Sequence, residues 1–230
     1  MNLFTAIFSS TLGKKYLMAI TGLLLILFVI GHMVGNLQIF LGPDTINAYG
    51  AFLKSIPELL WGARIGLLTL VLLHIWSAIA LVRANKAARP VAYRVNRTVA
   101  ASYASRTMIW SGLIVFAFIV YHLLHFTVGV THPDLMTLKD ETGRHDIFAM
   151  VVKGFSSPLV SGFYILSMAL LCTHLSHGAS SLFQSLGWRT GHQRVWADRI
   201  AFALAWGIFI GNSSIPLAIL LGFGKEAIKS

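Results

Sequence analysis

The chain has 230 residues and a formal net charge of +10; 56% of its residues are apolar and only 11% are charged. A soluble domain of this size carries about a quarter charged residues, so a water-soluble globular fold is excluded and a bilayer is the solvent this composition calls for. The basic excess then reads as loops facing one compartment rather than as a nucleic-acid surface.

Five segments lack Asp, Glu, Lys and Arg for long enough to cross a membrane, which takes about 20 apolar residues as helix. In chain order they are Tyr16 to Leu41, Ile65 to Val82, Thr107 to His132, Gly154 to Trp188 and Ile200 to Gly224. The first run is too long for a signal peptide and no small-residue cleavage site follows it. The second is short, and the fourth holds a helix plus flanking turns. Within the fourth, Ser157 before Pro158 has the form of an N-cap followed by proline at the first helical position. Tyr16, Trp61, Tyr103, Trp110, Trp188 and Trp196 fall near span ends, as an aromatic belt requires. With no internal repeat or low-complexity linker in view, the expectation is a single all-α polytopic membrane domain over residues 1–230.

Loop charges predict the orientation. Lys14, Lys15, Arg83, Lys86, Arg89, Arg94, Arg97, Arg106, Arg189, Arg194 and Arg199 fall on one side, with Asp198 the one acid among them. On the other side Lys54, Arg64, Lys139, Arg144, Lys153, Lys225 and Lys229 are balanced by Asp44, Glu58, Asp134, Asp140, Glu141, Asp146 and Glu226. The positive-inside rule puts the N-terminus in the cytoplasm and the C-terminus outside, in a bacterial cytoplasmic (inner) membrane.

Six of the nine histidines fall within spans: His32, His74, His122, His125, His174 and His177. An ionisable group in lipid is costly and turns toward a bundle interior. Any one of these could simply bond a neighbouring helix, but the first four spans each hold at least one. At 1.5 Å per residue, His32 and His122 both lie roughly 25 Å from the cytoplasmic end. By the same measure His74 lies roughly 14 Å and His174 roughly 22 Å from that end, or deeper if Gly187 stops its helix early. Two pairs follow, His32 with His122 and His74 with His174. Paired neutral imidazoles from facing helices suit bis-histidine haem iron, and two levels suit two separate planar groups better than one closed zinc site. The sequence has no CxxCH, and Cys172 is the single cysteine, so covalent haem and an intrachain disulfide are both excluded. Gly31, Gly35 and Gly178 near the ligands leave room for a porphyrin, although such glycines also mediate helix packing. His125 and His177, one turn from proposed ligands, are alternative ligands, haem-propionate partners or packing residues. His132, His145 and His192 fall in loops.

Four stretches carry a resemblance: SSTLGKKYLMAITGLLLILFVIGHMVGNLQIFLG from Ser9 to Gly42, LLHIWSA around His74, VYHLLHF around His122, and LCTHLSHGASSLFQSLGW around His174. Together, in this order, they resemble the five-helix, two-haem cytochrome b membrane anchor of succinate dehydrogenase and fumarate reductase. The resemblance implies axial ligands at His32, His74, His122 and His174, paired first span with third and second with fourth. It implies two haem b groups, an FAD-containing flavoprotein subunit and an iron–sulfur subunit on the cytoplasmic face, and a membrane quinone, of menaquinone type, as electron partner. Some members carry an intramembrane glutamate two residues before the fourth-span ligand; here that position is Cys172, which puts that proton route in doubt.

Quinone chemistry needs a polar group near the outer haem. Glu58, Asn36, Gln38 and Arg64 are the candidates, and an ordinary interfacial loop explains them equally. Arg64 could also pair with a haem propionate. Rival readings are a di-haem cytochrome b serving a hydrogenase or formate dehydrogenase, a histidine-bearing transporter or proton channel, and a bare anchor.

Overall fold

Helix breakers and caps divide the apolar runs more finely than charge alone does. The computed structural model describes residues 2–88, 103–188 and 191–228, so the loop cations Arg89, Arg94, Arg97 and Arg189, and Lys229, lie outside the described residues. In chain order the helices are α1 (Leu3–Ser9), α2 (Thr11–Leu37), α3 (Pro43–Lys54), α4 (Pro57–Ala87), α5 (Tyr103–Phe126), α6 (Ile147–Phe155), α7 (Pro158–Ser185) and α8 (Gln193–Leu220). Short 3-10 turns at Gln38–Leu41 and Pro133–Thr137 follow α2 and precede α6. The protein is all-α and polytopic: α2, α4, α5, α7 and α8 are long and apolar enough to cross a membrane. Among the described residues, the sole extended pairing is an isolated bridge between Lys139 and His145.

The second span is longer than its uncharged stretch. Pro57 sits in the first turn of α4 and Glu58 favours its positive end, while Lys86 complements the other end, so the helix runs past the apolar core in both directions. The third ends at Phe126, and Gly129 takes a φ of 76°, so His132 lies beyond the helix. The fourth run holds one long helix and only the last two residues of a short one. Pro158 begins α7 with Ser157 at the N-cap, and Gly187, at a φ of 78°, follows its end. The residues before it form the separate apolar helix α6, capped by Asp146 accepting from the Ala149 amide. Helix α8 continues through Pro216. The belt residues Tyr16, Trp61, Trp110, Trp188 and Trp196 are exposed, as rings at a membrane interface are.

The spanning helices pack most extensively as α7 on α8, α2 on α4, and α5 on α7, with α2 also against α7 and α8. Ala179, Ala201 and Ala205 are almost wholly buried in the α7–α8 seam, where small side chains let backbones close up. Cys172 is buried in the same cluster, packed with Ile26 and Ile208. The Ser180 hydroxyl donates to Asp198 at 2.5 Å, tying α7 to α8 near the basic loop ends.

At the opposite ends, α3, α6 and the 3-10 turn before it form a cap. Its core of Ile39, Ile46, Leu135, Phe148 and Val152 continues into α7 and α8 through Tyr164 and Ile219. Polar bonds lock it: Asn47, 1% exposed, accepts from the Phe148 amide at 3.0 Å and donates to Asp146 at 3.0 Å. Arg144 bridges Asp140 at 2.7 Å and Asp44 at 3.2 Å.

At the basic end α1 folds back on α2. A Cβ on Gly13 would stand within 2.6 Å of the α1 backbone at Ala6 and Ile7. Gly13→Ala is therefore expected to pry α1 off, read as faster proteolytic cleavage near residue 10 with the remaining spans intact.

Candidate histidine sites in the membrane bundle

Eleven residues separate Thr21 from His32 on α2, and eleven separate Ser111 from His122 on α5. Eleven residues are three helical turns and about 16 Å, so each hydroxyl and its histidine share one helix face at two heights. These faces carry both candidate sites.

At the level nearer the cap, His32 of α2 meets His122 of α5 edge to face, with ring centroids 5.7 Å apart and planes at 87°. Phe28 stacks on His32 at 5.4 Å, and Phe118 lies 5.9 Å from His122. The Tyr164 hydroxyl of α7 approaches His122 Nδ1 at 3.5 Å and His125 Nδ1 at 3.0 Å.

At the level nearer the basic end, His74 of α4 rests its Nδ1 on the Thr21 hydroxyl at 3.2 Å. His174 of α7 does the same on Ser111 of α5 at 3.1 Å. A glycine follows each hydroxyl: a Cβ on Gly22 would stand 3.2 Å from His74 Cε1, and one on Gly112 3.4 Å from His174 Cε1.

The helices that would share a porphyrin, α2 with α5 and α4 with α7, are not among the closely packed pairs. His74, His122 and His174 are half-buried and His32 is exposed in the isolated chain. A flat macrocycle needs that combination: ring nitrogens on facing helices with accessible surface between them. Among the described residues no three His, Cys, Asp or Glu side chains converge on one point. The histidines at the two levels are the residues that could hold a cofactor.

His125 is placed differently. It is fully buried, stacked on Phe126 at 3.9 Å, with Nε2 unbonded and facing the Gly154 position of α6. His132 sits 4.8 Å from it, between centroids. His177 is half-buried one turn beyond His174. His145 belongs to the cap, bonding the Leu138 carbonyl through Nδ1 at 3.1 Å.

The four polar candidates are not gathered into one site by any contact among the described residues. The Asn36 amide donates to the His32 carbonyl at 2.7 Å. Gln38 opens the 3-10 turn after α2, and Glu58 is exposed in the first turn of α4. Arg64, also exposed, lies over the Trp61 ring at 5.0 Å. Burial, helped by the Arg64 charge, pushes the Lys54 ammonium below its ordinary value, which puts two cations near one another at the cap end.

Residues missed from sequence are Thr21, Gly22, Ser111, Gly112 and Tyr164. The first four had a usable signal, a hydroxyl and glycine ten and eleven residues ahead of a histidine in two spans. Compared with known proteins, the chain matches no family model, no curated protein and no solved structure.

Proposed function

We propose that this chain is the membrane-anchor cytochrome b of a succinate:quinone oxidoreductase, succinate dehydrogenase or fumarate reductase. In this reading it carries electrons through two b-type haems between an iron–sulfur subunit and a membrane quinone of menaquinone type. The observation that carries it is the meeting of His32 and His122 at 5.7 Å between ring centroids, with His74 and His174 each set against a hydroxyl of a neighbouring span three helical turns away. The stretches from Ser9 to Gly42 and around His74, His122 and His174 supply the family.

When bound, each haem would supply a one-electron couple, its potential set by axial ligands, neighbouring hydrogen bonds and burial. The chain's own work is structural and electrostatic. His32 and His122 would hold the outer iron, and His74 and His174 the inner one. The apolar walls of α2, α4, α5 and α7 would keep water from both, as in other helical-bundle cofactor sites. Basic loops would face the cytoplasm and receive the iron–sulfur and FAD-containing flavoprotein subunits, which perform the dicarboxylate chemistry. The cap would face outside. Glu58, Asn36, Gln38 and Arg64, at that end of the bundle, are the groups available to a quinone headgroup, and Arg64 to a haem propionate.

A reduced-minus-oxidised spectrum of the purified protein tests this. Two b-type haems per chain are expected, with FAD and iron–sulfur subunits co-purifying. A spectrum without haem would sink the cytochrome reading, and two haems with a different set of soluble partners would select another di-haem cytochrome b.

A further inference from the structure

The two inner histidines are held by one device used twice. Thr21 is 2% and Ser111 7% exposed, so neither hydroxyl has water to bond. Each spends its proton on its own helix: Thr21 donates to the Leu17 carbonyl at 2.8 Å, and Ser111 to the Met108 carbonyl at 3.1 Å. An oxygen whose hydrogen is already committed can only accept from a second partner. With the hydroxyl protons on those carbonyls, the ring nitrogen facing each oxygen, Nδ1 of His74 or His174, carries the hydrogen. A neutral imidazole holds one such hydrogen, which leaves Nε2 of both rings with a bare lone pair. The glycines at 22 and 112 let the rings come this close to helices α2 and α5.

We infer that Thr21 and Ser111 are positioning residues for the inner haem iron: each fixes the tautomer and orientation of one axial imidazole and, by accepting its Nδ1–H, strengthens its donation to the metal. This inference rests on the cytochrome reading above. A more basic ligand favours ferric over ferrous iron, so these two hydroxyls hold the inner haem at a lower potential than it would otherwise have. The outer pair lacks this device. His122 is approached by the Tyr164 phenol at 3.5 Å instead, and that hydroxyl also contacts His125.

The test is a spectroscopic redox titration of the purified complex carrying Ser111→Ala, Thr21→Val or Thr21→Ser. The inner haem's midpoint is expected to rise in both Ser111→Ala and Thr21→Val, with the outer haem's midpoint unmoved. Thr21→Ser restores the hydroxyl and should return the unmodified value. Selective loss of the inner haem from the alanine or valine chain, with the outer one retained, supports the same assignment. Two haems at unchanged potentials in both chains would overturn it. So would loss of both haems from Thr21→Val that Thr21→Ser fails to recover, because that marks packing rather than ligand orientation. An unmodified complex with no b-type haem is a separate result, which removes the cytochrome reading itself.

Discussion

His74→Ala is expected to yield a chain that keeps one b-type haem and loses the other. Under the proposed reading, His74 supplies half the axial ligation of the inner iron, and the cavity left by the ring offers no substitute. The Thr21 hydroxyl beside it is committed to the Leu17 carbonyl. The outer ligands are on other helices: His32 and His122 meet about 16 Å away on α2 and α5. The expected haem content is therefore about half that of the unmodified chain. His122→Ala should give the complementary half, removing the component that His74→Ala retains. A pyridine haemochrome assay counts the haem, and a low-temperature spectrum shows which band is gone. Equal loss of both bands from a chain that still inserts would contradict the pairing. His125→Ala provides a contrast, because that ring is buried beside α6 with His132. It should leave both haems bound.

The second large effect is expected in the cap. Asn47 makes bonds through both ends of its amide, to the Phe148 N–H and to Asp146, in a site almost closed to water. Asn47→Ala leaves the Phe148 amide buried without an acceptor, a loss of about 1–3 kcal/mol. Asn47→Asp is worse, since it sets a third carboxylate against Asp140 and Asp146. Amide exchange at Phe148 and Ala149 would report the opening, with the spanning helices as internal reference. Acid should loosen the same region in two stages. Burial, and then the Lys54 charge, holds His145 below its ordinary 6.5, so the folded cap binds its proton less readily than the unfolded segment does. Stability is whole above pH 6.5 and declines as pH falls through that value. Desolvation pulls the Asp140 carboxyl upward, but hydrogen bonds from Thr142 and Arg144 outweigh it and hold the pKa at about 2. Its contribution is whole above the ordinary 3.8 and is lost as pH falls toward 2. Protection factors in the cap, corrected for the intrinsic pH dependence of exchange, that stay flat from pH 7 to pH 2 would contradict both assignments.

The five spans were legible because charge is excluded from lipid, and that exclusion leaves long gaps in the sequence. Their ends were less so. Glu58, Arg64, Arg83 and Lys86 interrupt the apolar pattern of α4 without ending the helix, since ends that reach the interface tolerate charge. Helix α6 was hidden because its nine residues are nearly all apolar and run up to α7; only the Ser156–Ser157–Pro158 junction marks the division. The heights of the histidines could be estimated from a fixed rise per residue. Those heights also suggested the pairs, but what else each ring touches could not be read, because that depends on how α5 and α7 are rotated. Tyr164 escaped notice for that reason: an isolated tyrosine in an apolar run gives no hint that it meets His122 and His125 of another helix. Thr21 and Ser111 escaped for another. Hydroxyl residues that bond their own helix are common in membranes, and only the shared spacing to His32 and His122 sets these two apart.

Asn47 is separated in sequence from Asp140, Asp146 and Phe148 by 93 to 101 residues. Chains are made from the N-terminus, so in the proposed orientation α3 would cross the bilayer well before the segment that covers it. Until then Ile46, Asn47 and Gly50 would wait on an uncovered helix face, and the connection would close only after the third span had threaded outward. Bringing such distant segments together carries a loop-closure cost that nearby contacts avoid. In that orientation biogenesis would have a natural last step on the far side of the membrane, and a released chain truncated before residue 138 would carry its first three spans with the lid unfastened.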